Sequence, residues 1–98
     1  MTLRLNDLVI NLLAGIDDPS VRMEVSKSIY YLYYVYIANP GQESEIKKDL
    51  IEICETVFSV KAPDLPAEKI REKAKEYANR LIAAFRLERM YSRVAMKF

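Results

Sequence analysis

The chain has 98 residues, 51% of them hydrophobic and 30% charged, with a formal net charge of +1. That balance fits one globular domain, which at this size buries roughly 60–68% of its unfolded surface, and it excludes a disordered chain. Bulk charge favours neither nucleic acid nor a membrane surface, so any such reading must rest on where the charges sit.

The first predicted helix covers about residues 3–14. Leu5, Leu8, Val9, Leu12, Leu13 and Ile16 recur at helical spacing, Thr2 is placed to cap the start, and Gly15 suits the left-handed position after the last turn. The polar face is thin, so this helix is expected to be largely covered. Asp17-Asp18-Pro19 is the clearest start signal: Asp18 can accept from first-turn amides, and Pro19 at the first helical position gives up no hydrogen bond.

The second helix is predicted from 18 to 38, ended by Asn39-Pro40-Gly41. Its C-terminal part holds five of the seven tyrosines, Tyr30, Tyr31, Tyr33, Tyr34 and Tyr36. We expect the other helices to pack around it. Val21, Val25, Ile29, Leu32 and Tyr36 share one face. Met23, Tyr30, Tyr34 and Ile37 form a second apolar stripe nearly opposite, with Tyr31 and Tyr33 on the flanks. One stripe suffices to hold a bundle. The second is surplus, and rings tipped with hydroxyls suit a surface that meets a partner.

The third helix, about 43–60, has one apolar side, Ile46, Leu50, Ile53, Cys54 and Val57, and an ordinary solvated side. The prolyl connector Lys61–Pro66 leads into a fourth helix predicted from 66 to 96, about 45 Å long and much longer than the others. It must kink or project past the bundle. From residue 80 onward it carries five basic residues against one acid, Glu88. Arg86, Arg89, Arg93 and Lys97 fall within an arc of roughly 80°, a line of cations that suits phosphates or an acidic protein surface. Glu88 lies on the apolar stripe of this helix and is read as exposed on a projecting end.

Catalytic chemistry has little to work with. There is no histidine to act as a base near neutral pH or to hold a metal, and a single cysteine cannot build a structural zinc site. Two glycines allow no phosphate-cradling loop. Cys54, on an apolar helix face, reads as a small core residue, and the acidic groups read as caps or solvated faces. No cofactor, metal or catalytic site is therefore expected.

The lone cysteine and the charged N-terminal segment point to a cytoplasmic protein without a signal peptide, and no run reaches the ~20 apolar residues of a membrane span. Scarce amides with abundant Ile, Tyr, Glu, Lys and Arg give a thermophile-like composition.

The expected fold is all-α: a four-helix, up-down bundle-like domain with a long C-terminal helix, its three shorter helices set around the first half of the fourth. The expected function is non-catalytic. The chain reads as a small accessory or adaptor subunit that binds another macromolecule, within a nucleic-acid-handling complex, through the Tyr30, Tyr31, Tyr33, Tyr34 and Ile37 surface and the basic stripe. Two alternatives stand beside it: direct DNA or RNA binding by Arg86, Arg89, Arg93 and Lys97, and self-association as a homodimer through the tyrosine helix.

Overall fold

A computed structural model describes the backbone of residues 4–95 and the side chains of residues 4–91. Among the described residues four α-helices follow one another, α1 Leu5–Leu13, α2 Pro19–Ala38, α3 Glu43–Lys61 and α4 Ala67–Ala95, with a 3-10 turn, Pro40–Gln42, between α2 and α3. No strand occurs among the described residues.

The helix boundaries follow local chemistry. Asp18 accepts a hydrogen bond at 2.9 Å from the Ser20 amide and Pro19 occupies the first helical position, so α2 begins where the cap and the proline allow. Gly15 takes φ +89°, a left-handed conformation that costs glycine little, and this turns the chain out of α1. The start of α1 differs from expectation. The helix begins after Arg4 with no side-chain cap, and Thr2, expected to cap it, lies outside the described residues. At its other end, α1 has no basic residue in the last turn. Lys61 from the end of α3 donates to the carbonyls of Leu12 (2.9 Å) and Asn11 (3.4 Å) and supplies the cation that end favours.

The helices alternate in direction. Between α3 and α4, Arg71 meets Glu55 and Arg86 meets Glu43, so the two run antiparallel. Tyr36 donates to Glu43 across the start of α3, and Tyr30 donates to Asn6 of α1. α1 closes the bundle onto α4, where the Tyr77 hydroxyl donates to the Leu8 carbonyl. This is the expected up-down bundle with a long last helix.

Its centre is not the tyrosine helix. α3 and α4 share the most extensive helix–helix contact, and α4 supplies Ala74, Ala78, Leu81, Ile82, Ala84 and Phe85 to the core. Three alanines on that stripe let neighbouring helices approach closely, and Phe85 fills the space beyond them. The Phe85 ring, fully buried, lies 5.4 Å from Tyr33 and 5.9 Å from Tyr36, both tilted. Ile29, Leu32, Tyr33 and Tyr36 are the part of α2 that joins this core. α4 runs without interruption to Ala95, and exposure rises at Met90 and Tyr91, as its last described turns pass beyond the packed region.

Cys54 is buried in α3, and burial pushes its thiol up to about 12. The folded protein should therefore react with a thiol-specific disulfide reagent at pH 8 far more slowly than the denatured chain. Equal rates would show that this part of α3 is open.

Candidate functional site

The surface that stands out is the outer flank of α2 beside α1. Tyr31 is 67% exposed, Tyr34 66% and Met23 59%, and Ile37 and, on α1, Ile10 are exposed as well. Tyr30 is half-buried, and burial raises its phenol above the ordinary value, with the nearby Glu88 charge and Tyr34 adding to the shift.

Helix lengths account for the exposure of Tyr34 and Ile37. α1 has nine residues, about 14 Å, whereas α2 has 20, about 30 Å. The Tyr30–Asn6 hydrogen bond, 3.1 Å, sets the level at which the first turn of α1 meets α2. Because α1 begins at Leu5, no described turn of α1 lies beside α2 beyond Tyr30, and Tyr34 and Ile37 stay exposed. Toward the other end, α1 and α2 diverge into an open groove of about 760 Å³, with Ile10, Leu13 and Met23 against Arg22 and Lys27.

The five residues expected to form a tyrosine surface therefore separate. Tyr31, Tyr34 and Ile37 are outside and Tyr30 is on the edge. Tyr33, 9% exposed, belongs to the core against Phe85, with Tyr34 5.7 Å away on its outer side. The second stripe stays on the side of α2 away from Ile29, Leu32 and Tyr36, and its N-terminal half, at Met23, Lys27 and Tyr30, borders α1. Met23, already part of the second stripe, lies on this surface, and Lys27 and Ile10 join it. Lys27 carries a signal in the spacing, since Met23, Lys27, Tyr30, Tyr34 and Ile37 succeed one another at alternating steps of four and three. Ile10 belongs to another helix and carries no such signal.

The basic stripe is likewise divided. Arg86 forms a bidentate pair with Glu43, Nε to Oε1 at 2.8 Å and Nη2 to Oε2 at 2.7 Å, and Arg71 pairs with Glu55 at 2.9 Å. Both stitch α4 to α3. Arg89 is half-buried, and among the described residues no carboxylate is paired with it. The backbone of Arg93 lies within α4, but its side chain and the whole of Lys97 lie outside the described residues.

Glu88, read from the sequence as a free acid on a projecting end, is instead held by the guanidinium of Arg4. Two hydrogen bonds of 3.1 Å tie α4 to the start of α1, and the same guanidinium lies 5.5 Å from the centre of the Tyr91 ring.

The Glu43 carboxyl is held below its ordinary value of 4.5, chiefly by the Arg86 hydrogen bond. Its stabilising contribution is complete above that ordinary value and is lost as pH falls through the lower folded value. Glu43→Gln should therefore lower stability at neutral pH and flatten the acid limb of a stability–pH curve below about 4.5. The loss should stay below about 1 kcal/mol, because the pair is partly solvated. Chemical denaturation across that range measures it, and parallel curves would refute the pairing.

Among the described residues, no group of three metal-ligating side chains is placed to hold a metal ion, and no helix is long and apolar enough to cross a membrane. Compared with known proteins, the chain matches no family model, no curated protein and no solved structure. The molecule is thus an all-α, bundle-like domain, and the reading of its surface rests on its own residues.

Proposed function

We propose that the chain is a non-catalytic accessory subunit that works by docking another protein helix on the outer flank of α2. One observation carries this reading: Tyr31, Tyr34, Ile37 and Met23, with Ile10, leave large apolar side chains on one face beside a core that is already complete without them. Tyrosine and methionine are enriched at protein interfaces, and exposed rings side by side are the usual anchors of binding energy there. Place within a nucleic-acid-handling assembly and a cytoplasmic location remain part of this proposal. Direct phosphate binding by α4 is the weaker reading, because Arg86 already serves Glu43.

The test compares the tagged chain with its Tyr34→Arg and Arg89→Glu variants, purified from the native cell at mild salt. A protein bound at α2 should be lost with Tyr34→Arg and kept with Arg89→Glu. The reverse pattern, together with an oligonucleotide affinity that falls steeply with salt, would overturn the α2 reading in favour of phosphate contact.

A further inference from the structure

We infer that the helix received on the outer flank of α2 is the α2 of a second copy, running antiparallel about a two-fold axis near the Tyr30–Tyr34 level. The inference rests on the docking reading above and specifies its partner.

Spacing is the first ground. Met23, Lys27, Tyr30, Tyr34 and Ile37 follow one another at steps of four, three, four and three, the a/d pattern of a helix pair, with Lys27 and Tyr34 at a and Met23, Tyr30 and Ile37 at d. The core-facing residues Ile29, Leu32, Tyr33 and Tyr36 occupy the other positions, so α2 serves the bundle with one side and offers a seam with another.

Charge chooses the occupant and its direction. In a parallel pair of copies Lys27 would face Lys27, two like charges in the seam. In an antiparallel pair a positions meet d positions. Tyr30 then meets Tyr34 of the second copy, twice by symmetry, and Lys27 meets Ile37, at the C-terminal end of the other α2. That end carries partial negative charge, has no basic residue in its last turn, and among the described residues receives no lysine or arginine. The same need at the end of α1 is met within the chain by Lys61. One lysine at an a position is also a known determinant of register and orientation in helix pairs.

The described residues leave this face uncovered. Beyond Tyr30 no described turn of α1 lies beside α2, and there the exposed Tyr34 and Ile37 would take up Tyr30 and Lys27 of the second copy. At the other end Met23 and Ile10 frame the open groove and would meet the Pro40–Gln42 turn of that copy.

The test is sedimentation of the purified chain across the micromolar range, with directed cross-linking. A monomer–dimer equilibrium is expected, weakened at least about tenfold by Lys27→Glu, which sets a carboxylate against the negative helix end. For orientation, Lys27→Cys and Ile37→Cys chains are mixed and oxidised; buried Cys54 stays out of the reaction. The mixture should give disulfide dimers far in excess of either variant alone. Efficient cross-linking of each variant with itself would overturn the antiparallel pairing. A chain that stays monomeric throughout overturns the inference. If such a monomer still captures another protein in a way that Tyr34→Arg abolishes, the docking reading survives; if it captures none, that reading falls too.

Discussion

Phe85→Ala should lower the melting temperature by roughly 15–30 °C, corresponding to about 3–5 kcal/mol. Phe85 is fully buried on the central helix, and its ring is packed on by Tyr33 and Tyr36. Truncation removes the transfer energy of the ring and leaves a cavity between α2 and α4 that these tyrosines cannot fill without leaving their own contacts. For a domain of this size, whose total stability is on the order of 5–15 kcal/mol, that is a large fraction. Calorimetry or denaturant unfolding measures it. A loss below about 1 kcal/mol would mean that the core is not organised around Phe85.

Tyr34→Arg should do the opposite: weaken association about thirtyfold or more while leaving the melting temperature within a few degrees of the parent. The Tyr34 ring is two-thirds exposed, so its removal opens no cavity. An arginine in its place would bring a charge into the seam that needs water. The two substitutions separate the two roles of α2. The residues facing Phe85 hold the fold, and those facing away bind. If Tyr34→Arg destabilised the fold as much as Phe85→Ala, Tyr34 would belong to the core and the surface reading would lose its main support.

Much of the fold was legible because local chemistry sets it. The Asp18–Pro19 start, the left-handed Gly15 and the prolyl connector into α4 are each decided within a few residues, and the structure keeps all three. Contacts between residues far apart in sequence were not legible. Nothing near Glu88 says that Arg4, 84 residues away, will hold it, and nothing near Arg86 names Glu43. These pairs depend on how the helices align end to end, which periodicity does not encode. Helix order misled in the same way. The tyrosine helix looks central by composition, yet α4, with its buried alanines and Phe85, holds the centre and shares its most extensive contact with α3. Tyr33 illustrates the limit at one residue: on a helical wheel it is a flank position, and only the location of Phe85 turns it into core.

The surface was legible as a stripe but not as a site. The pattern showed more apolar residues than one bundle face uses. It did not show that the described part of α1 ends level with Tyr30 and leaves Tyr34 and Ile37 exposed.

The central claim, that the outer flank of α2 is occupied when the protein works, is tested most directly by covalent footprinting of tyrosines. The chain is labelled at low concentration in isolation and again in its native cell extract, and modification is read residue by residue. The expected result is that Tyr31 and Tyr34 label readily in isolation and are protected several-fold in the extract, while Tyr33 and Tyr36 stay unmodified in both. Equal labelling of Tyr31 and Tyr34 in the two conditions would contradict the claim.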